Sequence, residues 1–145
     1  MRKTVYLDNA ATTKPSAEVI KVMSDALAEH WHNPSSAYDA AWEERAAISG
    51  AREEIASLIN GDPDGVYFTS GGSASDNWVL RSLVHPGDHI ITTNIEHHAI
   101  LNTCEFLCGE GIDITYIHVN NQGFVNPADV EAAIRPNTKL GSVMA

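Results

Sequence analysis

The residues best placed to do chemistry lie between Val66 and Asn77, in Val-Tyr-Phe-Thr-Ser-Gly-Gly-Ser-Ala-Ser-Asp-Asn. A β-branched and aromatic run, Val66 to Thr69, reads as a strand. Ser70-Gly71-Gly72-Ser73 turns the chain, and Trp78 to Leu83 reads as a helix. A strand, a Gly-Ser turn and a helix N-terminus form an anion site, because the first N–H groups of a helix lack acceptors and the helix dipole adds positive charge there. Glycine lets a ligand approach the backbone closely, and Ser73 and Ser75 add hydroxyl donors. The stretch therefore reads as a phosphate cradle. The plainer reading, Gly and Ser serving only to cap and turn, stands beside it.

A second signal is Asn94-Ile95-Glu96-His97-His98, after the strand His89–Thr93. From about residue 66 onward strands alternate with helices: strand Ile112–Val119, helix His98–Cys108, a short helix Ala128–Ile134 behind Asn126-Pro127, and a last strand from Lys139 to Met144. This alternation predicts βαβ units and a mostly parallel sheet. Such sheets bind ligands beyond the C-terminal ends of their strands. The cradle and the 94–98 loop are both expected there, where His97 could contact a ring, move a proton or cap a helix.

The elements upstream carry less chemistry. Thr4–Thr13 is an extended lead-in, Ser16 is the predicted N-cap of a helix through about Glu29, and Ala37–Leu58 is a long helix. Glu43, Glu44, Arg45, Arg52, Glu53 and Glu54 lie largely off its apolar line and read as a solvated face. His30 and His32 in the loop between these helices make a poor metal site, and no metal is expected. Cys104 and Cys108, four apart on a helix, read as small apolar side chains facing the core.

The 145 residues fit one domain, with a formal net charge of −10 that argues against nucleic acid and anionic membrane as partners. There is no apolar run long enough to span a bilayer and no apolar signal core behind Met1, so a cytoplasmic protein is expected.

Five motifs, in order along the chain, resemble the N-terminal part of NifS/IscS-like cysteine desulfurases, in the class V aminotransferase group of pyridoxal-phosphate enzymes. They are Tyr6-Leu7-Asp8-Asn9-Ala10-Ala11-Thr12-Thr13, Asn33-Pro34-Ser35-Ser36, Phe68-Thr69-Ser70-Gly71-Gly72 with Asp76-Asn77, Ile90-Ile91-Thr92-Thr93 with Glu96-His97, and Ile134-Arg135-Pro136-Asn137-Thr138-Lys139. The resemblance implies an α/β fold. It would be part of the large domain of the pyridoxal-phosphate-dependent transferases (aspartate aminotransferase-like, fold type I), a mostly parallel sheet flanked by helices, truncated at its C-terminal side. Residues 1–15 would lie near the substrate site and 16–145 would form the partial cofactor-binding domain.

The same resemblance implies that Gly72 and Ser73 hold the phosphate of pyridoxal 5'-phosphate, and that His97 stacks on its ring and helps with proton transfer. Asn9, Ala10 and Ala11 would lie at the substrate end of the pocket. It also implies removal of sulfur from L-cysteine or a related amino acid, giving alanine and an enzyme persulfide, in a homodimer that hands sulfur to an acceptor protein, as in iron–sulfur cluster assembly. Ser73 stands where the family has Thr, Ala74 where it has Glu, Tyr38 where it has His and Ala41 where it has Gly. The family's Schiff-base Lys, the Asp that pairs with the pyridinium nitrogen and the persulfide-forming Cys are not among these residues, so little or no desulfurase activity is expected of the 145-residue chain alone. Two other readings are a non-catalytic binding or dimerisation module derived from such an enzyme, and a Rossmann-like nucleotide binder. The Gly-x-Gly-x-x-Gly spacing of the latter is missing.

Overall fold

A computed structural model describes residues 5–144. The described residues form two compact units, divided between Tyr67 and Phe68.

The first unit is helical. Ser16 caps α1 (Ala17–Glu29) by accepting the Val19 N–H at 3.2 Å, as a serine N-cap should. The apolar stripe of α1 is present, but none of its residues is buried. α2 (Asp39–Leu58) packs against a short 3₁₀ turn, Pro63–Gly65. Two residues expected on its solvated face behave otherwise. Glu44 is only 6% exposed, because the loop 30–36 folds over it and supplies the His32 ring and the His32 N–H as donors. Arg45 donates to the carbonyls of Pro34 (2.9 Å) and Ser36 (2.7 Å), so the Asn33-Pro34-Ser35-Ser36 turn is held by the helix behind it.

The second unit carries a parallel three-stranded sheet in the order β2-β1-β3, with β1 (His89–Thr93) central, β2 (Asp113–Ile117) and β3 (Thr138–Ser142) outside. Every residue of β1 is buried. α3 (Gly72–Ser82) and α4 (His98–Gly109) pack on each other. Their Leu80, Ile100, Cys104 and Leu107 form the core with Ile90 and Ile112, and Ile114 and Leu140 pack at its edge. Burying one such aliphatic side chain contributes about 1.5–3 kcal/mol. The short α5 (Pro127–Ala133) is capped by Asn126, with Pro127 at its first position.

Three sequence expectations change. Val66–Thr69 is not a strand: no ladder includes it among the described residues, and the Val66 N–H instead donates to the Pro63 carbonyl while its C=O accepts from Arg52 Nε. The helix expected from Trp78 begins six residues earlier, at Gly72, so Ser73 belongs to its first turn. Cys104 is fully buried but Cys108, one turn further on, is exposed near the end of α4.

His89 staples the sheet. Its ring is buried at the entry of β1, with Nδ1 2.8 Å from the Thr138 hydroxyl of β3 and Nε2 2.8 Å from the Thr115 hydroxyl of β2. One ring nitrogen donates and the other accepts, so the neutral imidazole satisfies both bonds.

Candidate functional site

The turn before α3 is built by Gly71 and Thr69. Gly71 has φ +154° and ψ 173°, a combination open to glycine and strained for other residues. The Thr69 hydroxyl accepts the Gly71 N–H at 3.3 Å and donates to the Gly71 carbonyl at 3.0 Å. The Ser75 hydroxyl lies 2.7 Å from Thr69 Oγ1, so Ser75 braces the turn rather than facing a ligand. Asn77 Nδ2 donates to the Ser73 carbonyl at 2.9 Å and steadies the same first turn. Thr69 and Asn77 are structural members of the cradle that a search for donors passes over.

Gly71 has no side chain to cap α3. The acceptors one turn back from Gly72 and Ser73 lie outside the helix, and among the described residues neither N–H has a partner in the chain. A Cβ added at Gly71 or Gly72 would meet nothing within 4 Å. Two unclaimed donors, open space above glycine and the positive end of a helix fit a phosphate group.

His97 is the N-cap of α4. Its Nδ1 accepts the Ala99 N–H at 3.1 Å, which assigns the ring proton to Nε2. Ser73 and His97 line one cleft of about 490 Å³ between α3 and α4, together with Asn77, Arg81, Asn102 and Phe106. No Asp or Glu lines it, although the chain has 19 of them. An acidic protein thus keeps its carboxyl groups out of a cleft with helix-end donors and an arginine, the balance an anionic ligand needs. Arg81 sits 4.6 Å above the Phe106 ring.

The structure therefore brings Ser73 and His97 to one cleft in the second unit, with Gly72 opening α3 one residue before Ser73. Asn9, Ala10 and Ala11 belong to the first unit, where they form an exposed turn with the Ala11 N–H on the Asp8 carbonyl at 3.2 Å. Cys104 is no nucleophile in this setting: burial, with the nearby Glu96 adding to it, pushes its thiol up to about 11. Among the described residues, no three His, Cys, Asp or Glu side chains cluster to hold a metal ion. His30 and His32 instead face Glu44, at 3.3 and 3.0 Å. Nor is any helix of the described residues long and apolar enough to cross a membrane.

Cysteine desulfurase IscS of Clostridium botulinum (strain Kyoto / Type A2) is 43% identical over 148 residues, an alignment spanning 99% of this chain and 37% of that protein. The IscS of Methanosarcina thermophila is 42% identical over 146 residues, with 98% of this chain and 36% of that protein covered. The chain thus spans a little over a third of the length of these curated relatives. A solved structure described as SspA in complex with cysteine superposes with a TM-score of 0.89 at 37% identity, covering 97% of this chain and 42% of that one. A NifS-like protein superposes with a TM-score of 0.88 at 32% identity, covering 94% and 39%. The family model described as aminotransferase class-V matches residues 5–145. Five ordered motifs, a parallel sheet with a helix-end cradle and a match along nearly the whole length agree: this chain belongs to the class-V aminotransferases.

Proposed function

We propose that the chain is the phosphate-binding and ring-stacking part of a pyridoxal-phosphate-dependent cysteine desulfurase, and that the whole protein takes sulfur from L-cysteine and leaves alanine. The observation that carries this reading is the pairing of Ser73 and His97 across one carboxyl-free cleft. Bound pyridoxal phosphate supplies an electron sink for bonds to the amino acid's α-carbon.

The chain's own residues then have separate tasks. The N–H groups of Gly72 and Ser73, with the Ser73 hydroxyl, hold the phosphate at the positive end of α3. The flat His97 ring offers a face for stacking, and its Nε2–H is a donor. The bond from the Ala99 N–H occupies Nδ1, so the cap leaves His97 with Nε2–H as its one hydrogen-bond donor toward the cleft. Asn9, Ala10 and Ala11 are proposed to border the amino-acid substrate. The protein is proposed to work in the cytoplasm as a homodimer, passing sulfur from an enzyme persulfide to an acceptor protein for iron–sulfur cluster or other sulfur-transfer routes. The 145 residues alone are proposed to turn over little or no cysteine.

The test uses the native protein from its source cells, with pyridoxal phosphate absorbance recorded and alanine and sulfide measured after L-cysteine is added. A cofactor chromophore with alanine formed from cysteine is the expected result. A native protein that binds no pyridoxal phosphate, or that forms no alanine, would overturn the reading.

A further inference from the structure

We propose that Glu96 is the positioning residue that holds His97 in its working orientation and tautomer. This rests on the reading of His97 given above. Glu96 immediately precedes the α4 N-cap and is 7% exposed. One atom, Oε1, accepts two bonds of 2.8 Å: from the hydroxyl of Thr93, the last residue of β1, and from the N–H of Met144, just beyond β3. The Asn94 N–H meanwhile donates to the Ile117 carbonyl at the end of β2, at 3.1 Å. The four residues between β1 and α4 are thereby tied to the ends of all three strands.

A charged residue is rarely buried without a structural task, since desolvation must be offset by bonds made in place. Here the task is local. Asn94 and Ile95 form a turn, and Glu96 closes it on Thr93, three residues back. The next residue must meet α4 with extended backbone, and His97 does so, at φ −62° and ψ 150°. From that backbone its Nδ1 reaches the Ala99 N–H at 3.1 Å, and that bond places the proton on Nε2. Glu96 is not among the residues that line the cleft, and neither are Thr93 and Met144, to which its carboxylate bonds. It acts through the backbone of its neighbour, and the hydroxyl of Thr93 and the N–H of Met144 determine where that backbone sits.

The test is ring nitrogen NMR on the ¹⁵N-histidine-labelled full chain at about pH 8, where histidines of ordinary pKa are neutral. His97→Asn assigns the signal. Wild type is expected to show the Nε2–H tautomer alone. Glu96→Ala should shift His97 to a mixture of tautomers, and Glu96→Gln, whose Oε1 still accepts both bonds, should restore the wild-type pattern. Thr93→Val removes one donor with little change of shape and should loosen the pattern in part, which keeps the test alive if Glu96→Ala fails to fold. Ile100→Val, a core change in the same helix, should lower thermal stability yet leave the His97 pattern intact. A single tautomer retained in both Glu96→Ala and Thr93→Val would overturn the proposal. So would a glutamine variant that behaves like alanine, or an Ile100→Val protein that loses the pattern as well. Titration of wild type with pyridoxal phosphate is read separately: failure to bind would sink the cofactor reading and leave the Glu96–His97 coupling standing.

Discussion

Nδ1 of His97 and the N–H of Ala99 meet at 3.1 Å, so one imidazole both caps α4 and lines the cleft. The two roles can be separated, because asparagine is among the best N-cap residues. His97→Asn is expected to keep thermal stability within about 0.5 kcal/mol of wild type while weakening pyridoxal phosphate binding. His97→Ala should lose both, at about 1 kcal/mol for the cap. Thermal denaturation beside a cofactor titration checks this. Undiminished cofactor affinity in His97→Asn would remove the ring from the site.

The two glycines of the cradle predict opposite effects. Gly71 sits at φ +154°, so Gly71→Ala should destabilise the fold by about 1–3 kcal/mol through backbone strain alone, as there is nothing for the methyl to strike. Gly72 opens α3 without a positive φ. Gly72→Ala should leave stability equal or slightly raised, since alanine favours helix. Its methyl would occupy the open space above the cradle, and phosphate affinity should fall by about tenfold or more, roughly 1.4 kcal/mol. Equal affinity in Gly72→Ala and wild type would place the phosphate elsewhere.

His89 gives a pH signature of its own. Burial lowers its pKa, the Arg135 charge lowers it further, and Asp113 opposes them weakly. The folded state therefore binds its proton less readily than the unfolded chain, and stability is lost on the acid side. The contribution should be complete above about pH 6.5 and diminish as pH falls below that value toward the folded pKa. His89→Leu should remove this dependence and cost about 2 kcal/mol at neutral pH, because the Thr115 and Thr138 hydroxyls lose their shared partner. Melting temperatures of both proteins between about pH 7.5 and 5 decide it; parallel curves would assign the acid sensitivity to other groups.

The cysteines should differ sharply in reactivity. Cys104 is buried with its thiol pushed up to about 11, and Cys108 is exposed. Alkylation of the native chain followed by peptide mapping should label Cys108 and spare Cys104 until the protein unfolds. Early labelling at Cys104 would mean that α4 opens readily.

What was legible in the sequence is what local pattern controls. β1, α4 and the Asn126 cap follow from turn residues and hydrophobic period, and the meeting of Ser73 and His97 at one cleft from their places after a turn and a strand end. Val66–Thr69 has strand propensity, yet among the described residues no ladder includes it, and propensity alone does not make a ladder. Glu96 looks like one more polar loop residue until Met144, 48 positions away, is seen to donate to it. Glu44 and Arg45 read as solvated because helical period places them off the apolar line. Their fate is set by a loop nine to twelve residues upstream, and no period encodes that.

That loop yields the last prediction. Burial of Glu44 raises its pKa, but the bonds from the His32 ring and backbone, together with the charges of His30 and His32, outweigh burial and hold the carboxyl below its ordinary value. The folded chain then binds this proton less readily than the unfolded chain, so the stabilisation is present above the ordinary glutamate pKa of about 4.3 and is lost as pH falls through the folded value. Glu44→Gln still accepts the His32 N–H yet cannot titrate. Its unfolding free energy should change less steeply than wild type below about pH 4.5, and its loop 30–36 should be cut sooner by protease at neutral pH, where the histidines have lost their carboxyl partner. Identical acid slopes for the two proteins would show that the His30–Glu44–His32 cluster does not hold this loop.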